Sequence, residues 1–152
     1  MRSEFDRDLE AALRECGLDR ETLLSVVAAL SDADLDRARR GGWTVRRVLE
    51  HVIRSEWLYI TLVNHLRGQQ PANTPMEAGP PESVAEASRD LEASRQALLA
   101  AIEGVDEETF YQLGRVGHEE YSVLSVLENV ALHDREHAAQ VEAIMELVDT
   151  HP

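Results

Sequence analysis

Apolar residues return every three or four positions over four long stretches of this chain, and that period belongs to helices. The first stretch carries Phe5, Leu9, Ala12, Leu13 and Cys16, with Ser3 as its cap and Asp6 three residues later. Gly17 is expected to kink or interrupt this helix before Leu23, Leu24, Val27 and Leu30 resume the stripe. "SDADLDRARRGG" follows as a connector with room for one short helical turn. Thr44 then caps a second helix through Val45, Val48, Leu49, Val52 and Ile53, ending near Gly68. Residues 69 to 81 hold four of the five prolines and read as the main linker. A third helix places Val84, Ala87, Leu91, Ser94, Leu98 and Ile102 on one face, and a fourth runs from Ser122 to about Asp149. No strand is expected beyond a short extended piece in "YQLGRVG".

The second half repeats the plan of the first. "WTVRRVLEHV" at 43–52 and "YSVLSVLENV" at 121–130 share an aromatic, a hydroxyl cap, Val, Val-Leu-Glu and Val at a constant offset of 78. In this alignment His51 falls on Asn129. The fold class is therefore all-α: a four-helix bundle of two helical hairpins, forming a single domain over residues 1–152.

Charge and cysteine content narrow the partners. A formal charge of −14 repels nucleic acid and anionic membranes alike. No segment approaches the ~20 apolar residues that span a bilayer. The charged start "MRSEFDRDLEAAL" does not resemble a signal peptide. Cys16 is the single cysteine, so no intramolecular disulfide forms and a reducing compartment fits. The expected location is the cytoplasm, and Cys16 reads as a small apolar residue near a helix end.

The candidate chemistry lies on the fourth helix. His133 and His137 are one turn apart and continue the apolar stripe of Val126, Val130, Val141, Ile144 and Val148. On the second helix, His51 is flanked by Val48, Val52 and Tyr59. Burying three imidazoles without partners is costly, and a shared divalent metal satisfies all three. The alternative reading is surface histidines. A shared metal requires the second and fourth helices to run antiparallel, so that His51 comes level with residues 133 to 137. The order is then up-down-down-up, and the linker must travel the length of the bundle.

"GGWTVRRVLEHVIRSEWLY" followed by "ENVALHDREHAAQVEAI" resembles the DinB-like superfamily of bacterial metalloproteins, which includes the YfiT-type thiol transferases. The resemblance rests on the Trp-Thr helix start, the histidine seven residues after that threonine, and the late His-x-x-x-His. It implies an up-down-down-up bundle and a homodimer. It also implies a divalent ion, zinc or nickel, on His51, His133 and His137. Three neutral ligands leave such an ion open positions at which a thiol or a water loses its proton. The resemblance favours a metal-dependent S-transferase that joins a bacillithiol- or mycothiol-type thiol to a small electrophile. The alternatives are a metal-dependent hydrolase or isomerase, and a non-catalytic metal-binding stress-response protein.

Further roles are assigned around the metal. Glu56 is the candidate catalytic carboxylate; it or its repeat counterpart Asp134 would orient a ligand imidazole, the other reading being a solvated helix charge. Ser55 and Tyr59 follow His51 at helical steps and would line the pocket or pack in the core. Trp43 is expected to pack before the second helix rather than to meet substrate. Arg47, Arg54 and Arg135 are expected in salt bridges, with a carboxylate on the thiol or substrate as the other reading. His65, His118 and His151 belong to no constellation.

Overall fold

The computed structural model describes residues 2–69 and 79–149, with side chains described through residue 146. Most of the proline-rich linker, and His151, lie outside the described residues. Four long helices, α1 (Glu4–Ala28), α2 (Val45–Leu66), α3 (Val84–Ile102) and α5 (Val123–Asp149), form the bundle. A 3-10 turn at Asp32–Asp36 and the short helix α4 (Glu107–Tyr111) occupy matching places in the two halves.

Each long helix starts where a hydroxyl side chain satisfies a free backbone N–H. Ser3 and Asp6 form a reciprocal capping box, and Thr44 and Ser83 accept from Arg47 and Glu86. Ser122 accepts from the Ser125 N–H at 3.0 Å while Ser125 accepts from the Ser122 N–H at 2.9 Å. Gly17 does not interrupt α1, which is continuous. A glycine costs a helix interior only about 1 kcal/mol relative to alanine, and neighbours Cys16 and Arg20 are both anchored in the core.

Side-chain contacts fix the helix directions. On α1, Cys16 meets the Leu127 carbonyl and Arg20 meets Asp134, so α1 and α5 run parallel. Glu56 lies against Arg95 and Arg67 against the carbonyl of Ala101, so α2 and α3 run parallel. Arg20 reaches the Leu91 carbonyl and Arg95 the Cys16 carbonyl, which makes α1 and α3 antiparallel. His51 meets His133 on α5, whereas the far end of α2, at Leu66, meets Gly114 ahead of α5. The bundle is up-down-down-up, as the shared metal requires.

Leu23, Val27, Leu49, Ile60, Leu91, Leu98 and Leu127 fill the space between the helices, and Phe110 of α4 closes one end. Within this core sits a cluster of charge contributed by all four long helices. Arg20 (α1) binds Asp134 (α5) through two hydrogen bonds of 3.0 Å and Glu56 (α2) through one of 3.1 Å. Arg95 (α3) donates to Glu56 at 2.9 Å and to Asp134 at 2.7 Å. Ser94 also donates to Glu56. Two cations and two anions balance, and no buried side-chain nitrogen or oxygen among the described residues lacks a partner. Burial alone would depress the Arg95 guanidinium, but Glu56 and Asp134 together outweigh it and hold it above its ordinary range.

The short extended piece expected in "YQLGRVG" is a strand, and the structure adds a partner strand that the sequence reading did not include. β1 (Gly114–Val116) pairs antiparallel with β2 (Glu119–Tyr121), Val116 opposite Glu119. The two-residue loop opens with Gly117 at φ 65°, and His118 has no positive φ. That combination suits a type II′ turn. A side chain on Gly114 would collide with Leu66, so the bare glycine lets the hairpin seat against the end of α2.

Candidate metal centre

α2 presents His51, Ser55 and Tyr59 in successive turns, and α5 presents His133 and His137 one turn apart. Their antiparallel crossing brings three imidazoles together at the edge of the core. His133 Nε2 lies 3.0 Å from His51 Nε2 and 3.0 Å from His137 Nε2. The three ligand atoms are all within 4.8 Å of one another. An ion held at ~2.0–2.1 Å from each nitrogen needs neighbouring donors roughly 3.0–3.4 Å apart, from octahedral to tetrahedral geometry. Two of the three donor pairs have that spacing and the third lies within 4.8 Å, so the set is compact enough for one divalent transition ion. No further Cys, His, Asp or Glu among the described residues joins the group.

Electrostatics favour the neutral, ligating form. Burial, followed by the neighbouring His137 and His51, pushes His133 down to about 4. His51 is lowered by burial, then by His137 and Arg47. The His137 Nδ1–H donates to Gln140 Oε1 at 2.7 Å, which leaves Nε2 as the free lone pair. All three rings are partly exposed, not sealed in the core as the apolar stripe suggested, so the site opens to solvent.

Several expected neighbours stand elsewhere. Both Glu56 oxygens are taken by Arg20, Ser94 and Arg95, and both Asp134 oxygens by Arg20 and Arg95. Neither carboxylate orients a ligand ring, and neither is a solvated helix charge; Gln140 does the orienting for His137. Trp43 is 40% exposed and meets the His51 ring edge-on at 5.3 Å, so it belongs to the rim of the site. Arg47 lies over the Trp43 ring at 4.8 Å, and no carboxylate among the described residues pairs with it. Arg54 and Arg135 do form the expected salt bridges, to Glu50 and Asp19. Tyr59 lies 6.5 Å from the His133 ring. His65 and His118 stand apart from the triad.

Cys16 is buried in mid-helix, not near an end, and its Sγ–H donates to the Leu127 carbonyl at 3.2 Å. Among the described residues no helix is long and apolar enough to cross a membrane.

The comparison with known proteins converges on the same architecture. A crystal structure of a DinB-like protein from Bacillus cereus ATCC 10987 superposes with a TM-score of 0.73, over 94% of this chain and 95% of that one. The two share 17% sequence identity, so this likeness concerns the fold. No curated protein matches the sequence. The family model of the DinB superfamily matches residues 17–141, a span that includes all three histidines, and the chain belongs to that superfamily.

Proposed function

We propose that the protein is a metal-dependent S-transferase that joins a low-molecular-weight thiol, of the bacillithiol or mycothiol type, to a small electrophile. The observation that carries this reading is a triad of partly exposed imidazoles with no fourth donor of the same kind among the described residues. A structural ion is normally enclosed by four protein ligands, whereas three ligands at a solvent-facing edge suit exchangeable chemistry.

A divalent ion bound there would supply a positive centre at which a thiol gives up its proton at neutral pH. The residues of the chain do the rest. His51, His133 and His137 hold the ion, and Gln140 fixes the His137 tautomer. Arg47, extended over Trp43, stands ready for an anionic group on the thiol. In the transfer, the sulfur forms a bond to the electrophilic carbon, whose leaving group departs with the bonding electron pair. The thiol proton passes to solvent. Zinc and nickel are the ions proposed, the homodimer the assembly, and the cytoplasm the location; the family resemblance supports the first two and the reduced single cysteine fits the third.

The test begins with metal analysis of untagged protein, where about one transition ion per chain is expected. With cobalt in the site, a sulfur-to-metal charge-transfer band should appear on adding the right thiol, and thiol consumption by a chlorinated aromatic electrophile should depend on the metal. A broad panel of thiols giving neither the band nor metal-dependent consumption would overturn the transferase.

A further inference from the structure

A groove of about 620 Å³ opens between the outer face of α2 and the β1–β2 hairpin. Its walls are Leu58, Tyr59 and Leu62 on the helix side and Val116, Glu119 and Tyr121 on the hairpin side. The volume is within the ~300–1,000 Å³ usual for small-molecule sites. Two links join it to the imidazoles. Ser55 and Tyr59, both in its lining, follow His51 by one and two helical turns on the same face of α2. The Tyr59 ring also stands edge-on to that of His133.

The chemistry of the lining selects what can lie there. Leu58 is 50% exposed and offers the groove an apolar wall. No lysine or arginine lines the groove, and the carboxylate of Glu119, which accepts from the Tyr121 hydroxyl, sits at its rim. An anion entering would meet that carboxylate and find no lysine or arginine to compensate; the one imidazole in the lining is that of His118, at the hairpin turn. The Tyr59 phenol makes no hydrogen bond within the described residues. Its O–H is a donor free to serve a ligand.

We infer that this groove binds the electrophile, as a largely apolar body without negative charge, with its reacting end directed past Tyr59 towards the three imidazoles. The inference rests on the transferase reading for what happens at the imidazoles, but the binding itself needs no metal. It divides the site in two. The rim at Trp43 and Arg47 takes the polar thiol, and the groove on the opposite side of the triad takes the apolar acceptor.

The test uses two fluorescent probes that differ by a sulfonate: N-phenyl-1-naphthylamine, which is uncharged, and 8-anilino-1-naphthalenesulfonate. In metal-free full-length protein the uncharged probe should bind saturably at one per chain, at least tenfold more tightly than the sulfonate. Leu58→Glu should weaken the uncharged probe by tenfold or more, and Glu119→Gln should narrow the gap between the two probes. Cobalt loading should quench the bound probe, and should not do so in His133→Ala. Equal binding of both probes, indifference to Leu58→Glu, or an unquenched probe beside stoichiometric cobalt would each overturn the inference. If the protein takes up no cobalt, the transferase reading falls, and the two probes and the Leu58 variant alone decide the groove.

Discussion

Replacing Arg95 with methionine removes one of the two cations in the centre of the bundle while keeping a side chain of comparable length. Arg95 currently satisfies Glu56 Oε2 at 2.9 Å, Asp134 Oδ2 at 2.7 Å and the Cys16 carbonyl at 2.8 Å. Without it, two buried carboxylates share Arg20 alone, leaving one uncompensated negative charge in the core. Breaking a buried pair in this way costs ~3–5 kcal/mol, about a fifth or more of the ~5–15 kcal/mol that holds a domain together. For a chain of this size the melting point should fall by about 10 °C. The double variant Arg95→Met/Glu56→Met should be more stable than Arg95→Met alone. Arg20 keeps its two bonds to Asp134 and its 2.7 Å bond to the Leu91 carbonyl, and the Ser94 hydroxyl keeps the Leu91 carbonyl as acceptor. The coupling should reach about 2 kcal/mol, at the upper part of the range for contacting residues. Urea unfolding of the parent, both single variants and the double closes the cycle, provided the slope with denaturant is unchanged. An Arg95→Met cost under about 1 kcal/mol, or strict additivity in the cycle, would refute the account of the cluster as a balanced, buried quartet.

Alanine at His51, His133 or His137 should each lower metal occupancy at least tenfold in direct metal analysis, while His65→Ala and His118→Ala leave it intact; full occupancy in all three triad variants would remove the metal centre. His133 is pushed from 6.5 down to about 4 in the folded chain, so on acidification the unfolded chain takes up its proton first. Metal-free protein should therefore lose stability as pH falls from about 6.5 through 4. Urea midpoints should show that slope, and His133→Ala should flatten it. Burial pushes the Cys16 thiol up to about 11, so at pH 8 it should resist an aromatic disulfide reagent until urea unfolds the protein; reaction at the rate of a free thiol would contradict its buried hydrogen bond. Gly17→Ala should raise stability by about 0.5–1 kcal/mol, since a Cβ there meets nothing within 4 Å and the helix runs straight through. A destabilised Gly17→Ala would show that the position needs its glycine.

The features legible in the sequence are those with a local period. The hydroxyl caps at Ser3, Thr44 and Ser122, the apolar stripes and the i, i+4 histidines all arise within one helix, and the structure keeps each of them. The antiparallel crossing of α2 and α5 was legible as well, because three imidazoles on two helices are compatible with few arrangements. The charged quartet was not. Arg20 and Arg95 look like ordinary solvated helix charges until four helices bring them against Glu56 and Asp134. The available signal was positional: Arg20 interrupts the stripe of Cys16, Leu23 and Val27, and Arg95 stands between Leu91 and Leu98. Glu56 was drawn towards the metal by its distance from His51 in sequence, but it lies on the buried flank of α2 beside Val52, Ile53 and Ile60. Of the hairpin only the first strand was foreseen, as an extended piece; the second escaped notice because strands of three residues are too short to display an alternation, and only Gly117 marks the turn.

The repeat of the two halves has a consequence for ancestry. An offset of 78 carries Glu56 onto Asp134, and both carboxylates bind the same two arginines, so the relation holds in space as well as in sequence. The same offset carries His51 onto Asn129, His133 onto Ser55 and His137 onto Tyr59. The antiparallel register that levels His51 with residues 133 to 137 must level Asn129 with residues 55 to 59. The bundle thus contains two equivalent emplacements, about 9 Å apart along its axis at ~1.5 Å per residue. One carries three imidazoles; its twin carries an amide, a hydroxyl and a phenol. An ancestor built from two identical hairpins would have held both sites or neither. In the present chain that symmetry is broken at three positions, and two of them, Ser55 and Tyr59, now line the groove between α2 and the hairpin, next to the three imidazoles.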